Sequence, residues 1–146
     1  DLLRWILGEE VEEIVPLGAT ASKPTPAEDN AVAAIRFSGG TIATLQASWT
    51  HATGVPDSVE LACERGTIEV PSDPNAPVVV HEQRPRETVT ERYETTTSDG
   101  PGWRATCRAF VEAIRAGSPS PVPVTEGTAT LRAVLDAYHA MRFDRP

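Results

Sequence analysis

The sequence predicts an α+β fold, a mostly antiparallel open sheet with helices packed on one face and the second face free for oligomerisation. Two observations carry this. From Asp29 to Val70 apolar residues recur at every second position, the period of a half-buried strand, whereas from Trp103 onward they recur at three- and four-residue steps, the period of a helix. Strands and long helices are therefore segregated along the chain, and the strands are joined by links short enough for hairpins.

The opening segment, Asp1 to Leu7, carries Leu2, Leu3 and Ile6 at helical spacing with Trp5 adding bulk, and Gly8 stands where a C-terminal cap belongs. Two turns of helix are unstable alone, so this piece docks on the sheet or ends a longer helix. Glu10 to Ala21 reads as an extended stretch whose Pro16 lacks a ladder donor and suits an edge or a bulge, and Ser22 to Pro26 reads as a loop.

Two hairpins follow. Ala31, Ala33, Ile35 and Phe37 alternate with less apolar neighbours, and Ala43, Leu45, Ala47 and Trp49 do the same beyond Ser38-Gly39-Gly40. A three-residue loop sets odd positions opposite odd positions, pairing Phe37 with Thr41 and Ile35 with Ala43; a two-residue loop would turn one apolar set outward. In the second hairpin Val59, Leu61 and Cys63 share a face with Ile68 and Val70, and an Arg65-Gly66 loop pairs Cys63 with Ile68 and Leu61 with Val70. Pro71 to Pro77 is a turn cluster, Val78 to Val80 and Thr88 to Thr90 are two more strands, and Thr95 to Pro101 is a loop.

The closing third is helical. Trp103, Cys107, Phe110, Val111 and Ile114 make one apolar stripe, ended by Gly117 and Pro119. A Pro-rich connector then leads to a second helix marked by Leu131, Val134, Leu135, Tyr138 and Met141, with Thr125 as N-cap and Glu126 in its first turn. Each helix has a single stripe and so covers one surface.

At 146 residues the chain fits one domain, residues 1–146, able to bury roughly 70% of its unfolded surface. A net charge of −8 with dispersed carboxylates leaves no basic footprint for nucleic acid or for an anionic membrane. No apolar run approaches the length of a bilayer span, and the start lacks the features of a signal peptide, so the protein reads as cytoplasmic. Cys63 and Cys107 fall in different elements and read as two buried free thiols. With His51, His81 and His139 scattered, no metal ligand set is formed.

Several segments, in order, resemble one family. Asp1-Leu2-Leu3-Arg4-Trp5-Ile6-Leu7-Gly8, Asp29-Asn30-Ala31-Val32, Phe37-Ser38-Gly39-Gly40, Ala47-Ser48-Trp49, Val59-Glu60, Gly66-Thr67-Ile68 and the run from Phe110 to Gly117 are similar to the C-terminal domain of the Gfo/Idh/MocA oxidoreductases, the group of glucose-fructose oxidoreductase and inositol dehydrogenase. The resemblance implies a parent enzyme in which an N-terminal Rossmann domain binds NAD or NADP, while this domain supports a sugar or polyol substrate and a homo-oligomer interface. The chain has neither a Gly-x-Gly-x-x-Gly after a strand nor the family's Glu-Lys-Pro segment, and its one lysine is Lys23 in a Pro-rich loop. By resemblance, the proton-transfer pair would fall just before Asp1. No catalytic or cofactor-binding residue is therefore expected in this chain, which alone should lack redox activity.

Four residues are candidates for substrate contact. His51 follows the first hairpin, where resemblance implies a loop near the substrate, and imidazole is a reversible donor and acceptor suited to hydroxyls; the alternative is a solvent-facing loop histidine. Trp103 and Arg104 open the first long helix, where relatives carry an aromatic residue near the substrate, although the position of Trp103 on the apolar stripe favours core packing. Asp1 would orient neighbouring catalytic groups, or simply place charge at a helix N-terminus. Trp49 reads as core, His81 and His139 as surface residues, and Glu12-Glu13 as a solvated strand edge. The competing function is a stand-alone, non-catalytic α+β domain that binds a small ligand or a protein. A small pocketed α+β enzyme is a third reading, disfavoured by helices that close the chain.

Overall fold

The structure, a computed structural model, describes residues 1–22, 27–51, 58–73, 75–94 and 102–141. Lys23 with most of the Ser22 to Pro26 loop, and the Thr95 to Pro101 loop, lie outside the described residues. The chain divides into two compact units, one of residues 1–52 and 122–146 and the other of residues 53–121. The class is α+β, with every strand pair antiparallel.

The first unit begins with helix α1 (Leu2–Leu7), stopped by Gly8 in the left-handed conformation, φ 66°, whose N–H donates to the Arg4 carbonyl at 2.9 Å. Strands β1 (Val11–Ala19), β2 (Asn30–Phe37) and β3 (Ile42–Ser48) form a sheet in that order. Pro16 sits on the edge strand β1, where its missing donor costs no ladder bond, and the β1 register shifts between Val11 and Glu13. Ile35 pairs with Ala43, and the Phe37 N–H donates to the Thr41 carbonyl across Ser38-Gly39-Gly40, the register expected of a three-residue loop.

Helix α3 (Val124–Ala140) packs on β1. The sheet face carrying Ile35 and Phe37 is thereby withdrawn from water, Ile35 to 7% and Phe37 to 1% exposure. The opposite face carries Val15, Leu17, Val32 and Ile42, all exposed, with Leu17 directly opposite Val32. Thr125 is not the N-cap of α3: Pro123 holds that place at φ −71° and ψ 156°, and its carbonyl accepts from the Glu126 N–H. Proline's fixed φ makes it a ready entry into the first turn, and Thr125 is carried inside the helix.

The second unit holds strands β4 (Ser58–Cys63), β5 (Gly66–Pro71), β6 (Val78–Gln83) and β7 (Thr88–Tyr93) in that order, followed by helix α2 (Gly102–Ala116). The strands thus number seven among the described residues and lie in two sheets. In the second hairpin the register is two residues from the expected one: Leu61 pairs with Ile68 and Val59 with Val70, with Glu64-Arg65 as the turn. Gly66 therefore joins β5 and pairs with Glu82 of β6, where a Cβ on Gly66 would overlap the His81 carbonyl oxygen. Only glycine allows this approach. Helix α2 ends at Gly117, φ 63°.

Four side chains expected in the core are outside it. Trp49 is 81% and Trp103 64% exposed, and both cysteines are exposed free thiols. Trp49 lies beyond the last ladder pair of β3, and Cys63 closes the β4–β5 turn opposite Gly66. On α2 the buried residue is Ala113, while Trp103, Phe110 and Ile114 of the apolar stripe stay exposed.

Candidate functional site

The most constrained polar cluster in the chain joins α1, the start of β1 and the first turns of α3. Arg4 lies on a short helix otherwise rich in leucine, yet it is the buried residue of that helix, at 7% exposure. Withdrawing a guanidinium from water is costly unless its donors are satisfied. Its Nε donates to Glu10 Oε2 at 2.8 Å and its Nη2 to Glu10 Oε1 at 2.7 Å, a two-point fork. Nη2 also reaches Glu126 Oε2 at 3.2 Å, and Nη1 reaches Thr130 Oγ1 at 3.3 Å. The hydrogen bond and charge of Arg4 hold the Glu10 carboxyl below its ordinary range, and the same contacts hold the guanidinium more firmly protonated.

Thr130 passes this order on to Asp1. Its hydroxyl accepts from Arg4 and donates to Asp1 Oδ1 at 3.2 Å, so guanidinium, hydroxyl and carboxylate form one polarised chain. The Asp1 side chain consequently does not cap its own helix, whose first backbone bond runs from the Trp5 N–H to the Asp1 carbonyl at 3.0 Å. Beside Asp1 is an open surface depression lined also by Val122, Glu126, Gly127, Thr130, Leu131 and Val134. Carboxylates and a hydroxyl meet aliphatic side chains there, a mixture that suits a compact hydroxylated molecule with apolar C–H surface.

A second cluster leads to His51. Asp29, 4% exposed, accepts from the Ala21 and Ser22 N–H groups, each at 2.8 Å, and from Asn30 Nδ2. Asn30 Oδ1 in turn accepts from the hydroxyls of Ser48 at 2.6 Å and Thr50 at 3.0 Å. The exit of β3 is thus pinned to the entry of β2, and exposed His51 follows immediately. Trp103 and Arg104 belong to the other unit, where the Arg104 guanidinium stacks 5.4 Å from the Trp103 ring centroid. Of the four candidates, Asp1 and His51 therefore share the first unit, and Trp103 and Arg104 touch each other in the second.

Reading the residues alone missed Arg4, Glu10, Thr130 and Asp29. A basic residue within a leucine-rich turn, followed six positions later by an acid, is the only local trace of the first cluster. His81 also differs from its reading as a surface residue without partners: it spans β5 to β7, with Nε2 3.4 Å from Glu69 Oε1 and Nδ1 2.9 Å from Thr90 Oγ1. That row ties three strands of the second sheet. Glu12 and Glu13 are exposed as expected, and Glu13 accepts from Arg36 at 3.2 Å. Among the described residues no group of three or more metal-ligating side chains is formed, and no helix is long and apolar enough to cross a membrane.

Comparison with known proteins agrees with the resemblance noted above. Residues 1–69 match the GFO/IDH/MocA C-terminal domain. The chain is 29% identical over 130 residues to myo-inositol dehydrogenase Hyg17 of Streptomyces leeuwenhoekii, covering 86% of this chain and 38% of that protein. UDP-N-acetylglucosamine 3-dehydrogenase GnnA of Acidithiobacillus ferrooxidans superposes with a TM-score of 0.80 at 21% identity, over 96% of this chain and 43% of its own. The WlbA dehydrogenase of Bordetella pertussis, solved with NADH and UDP-GlcNAcA, superposes with a TM-score of 0.72 at 22% identity, over 95% of this chain and 40% of its own. The chain therefore spans about two fifths of these relatives. The chain thus resembles the GFO/IDH/MocA C-terminal domain over residues 1–69 and shares the fold of these dehydrogenases over nearly its whole length.

Proposed function

We propose that this chain is the substrate and oligomerisation domain, residues 1–146, of an NAD(P)-dependent oxidoreductase that oxidises or reduces a hydroxyl-bearing carbon of a sugar, polyol or sugar nucleotide. The observation that carries the reading is the hydrogen-bonded anchoring of Asp1 beside a surface depression, within the segment that matches the family. Relatives named for myo-inositol and for UDP-N-acetylglucosamine point to ring hydroxyls as the substrate class.

In this reading a separate domain of the same protein binds NAD or NADP, and the cofactor supplies hydride transfer when bound. The chain's own residues orient and exclude water. Asp1 helps fix the proton-transfer groups that precede it, while His51, Trp103 and Arg104 contact the substrate, the histidine through a hydroxyl and the tryptophan through the C–H face of a ring. Residues 1–146 alone carry no redox activity, and the protein works in the cytoplasm. The exposed face of the first sheet, with Val15, Leu17 and Val32 adjoining and Ile42 beyond the Arg36–Glu13 pair, supports self-association, since it leaves apolar side chains in water.

The test is nicotinamide absorbance during turnover by the full-length protein, with myo-inositol and UDP-N-acetylglucosamine as first probes. Turnover that needs both cofactor and hydroxyl substrate supports the reading. A stand-alone binding domain gives none.

A further inference from the structure

We infer that Arg4 is a positioning residue for the proton-transfer step, acting through Thr130 on Asp1. The inference rests on the functional reading above and adds to it the device that holds the reacting end of α1 in place. A helix as short as Leu2–Leu7 has too few internal bonds to keep its own direction. Its orientation must come from outside.

The apolar residues of α1 supply only part of it, since Leu3, Ile6 and Leu7 are half-buried while Leu2 is 49% and Trp5 80% exposed; the buried group is the guanidinium. One planar cation makes four contacts to three residues on two other segments: Glu10 after the helix, and Glu126 and Thr130 on the first turns of α3. Its fork geometry fixes direction as well as distance. Thr130, whose hydroxyl can donate only one proton, gives it to Asp1 because Arg4 already occupies its acceptor side. Each link thus sets the polarity of the next, and the carboxylate at the very start of α1 is held by a residue 129 positions away. In the functional reading above, the proton-transfer groups beside Asp1 inherit that placement, and a misplacement of about 1 Å costs on the order of a hundredfold in rate.

The experiment uses the full-length protein with a cyclic polyol and a UDP-sugar as probes, comparing wild type with Thr130→Val and Arg4→Lys. Thr130→Val keeps the shape and removes both bonds of the relay, the one accepted from Arg4 and the one donated to Asp1. The expected result is a fall in kcat of about tenfold or more, an unchanged KM for the nicotinamide cofactor, a melting temperature lowered by no more than the loss of about one hydrogen bond, and a larger primary deuterium isotope effect on kcat as chemistry becomes limiting. Arg4→Lys keeps the charge but not the fork, so it does not restore kcat. Wild-type kcat and isotope effect in both variants overturn the inference and leave the functional reading standing. A loss of kcat matched by losses of cofactor affinity and melting temperature also overturns it, since that is a structural role. No turnover by wild type with either probe and either nicotinamide overturns the functional reading and this inference with it.

Discussion

Arg4 concentrates more of the chain's polar order than any apolar position does. Its partners lie six, 122 and 126 residues away, so periodicity in the first eight residues could register a helix and its Gly8 stop but not the buried cation inside it. The electrostatics have a definite sign. Glu10 is held below its ordinary value of 4.5, chiefly by the Arg4 hydrogen bond. A carboxyl depressed on folding contributes stability that is complete above its unfolded value and lost as pH falls through its folded one. Denaturation midpoints taken at a series of pH values below 4.5 should therefore fall more steeply for wild type than for Glu10→Gln. Parallel curves would mean that the pair contributes nothing to acid stability. Asp1 and His51 lie at ends of elements that a pattern can locate, whereas the bond from Thr130 to Asp1, and those from Ser48 and Thr50 to Asn30 just before His51, come from contacts that no pattern announces.

At the scale of elements, the two hairpins show what alternation can and cannot decide. It distinguishes registers that differ by one residue, because a one-residue slip reverses every side chain, and the first hairpin forms in the expected register. It cannot distinguish registers that differ by two, since both keep the same faces. The β4–β5 hairpin takes the one with Glu64-Arg65 as its turn, which places Gly66 against the His81 carbonyl of β6. That contact is long-range and decides the tie. Gly66→Ala should consequently destabilise the fold by about 1–3 kcal/mol, through strain and loss of the close β5–β6 approach. Urea denaturation measures this, and a change below 0.5 kcal/mol, the size of an ordinary surface substitution, would contradict the assigned register. Helices α1 and α2 were legible through period and a glycine stop and α3 through period alone, while the Pro123 cap of α3 was obscured by the more familiar Thr125 two residues on.

For the whole molecule, the exposed apolar residues are more telling than the buried ones. Phe37 is fully buried and Ile35 and Ala113 nearly so, whereas all three tryptophans of the chain, Trp5, Trp49 and Trp103, are exposed. Amphipathic stripes and alternating strands identify a face to be covered, but not whether this chain or another surface covers it, which is why Trp49 and Trp103 read as core. On the first sheet, Leu17 stands directly opposite Val32 on the uncovered face. Leu17→Arg places a charge in the middle of that patch. Sedimentation of the full-length protein should show a smaller species for this variant than for wild type, whereas identical assemblies would remove the sheet face from the interface.

Hydride transfer tests the central claim most directly. Nicotinamide absorbance is followed for the full-length protein and for residues 1–146 alone, under the same cofactor and hydroxyl substrate. The expected result is turnover by the full-length protein and none by residues 1–146, because in the proposed function this domain positions substrate for chemistry performed on another. Turnover by residues 1–146 alone, or none by the full-length protein with any sugar, polyol or sugar nucleotide, would contradict it.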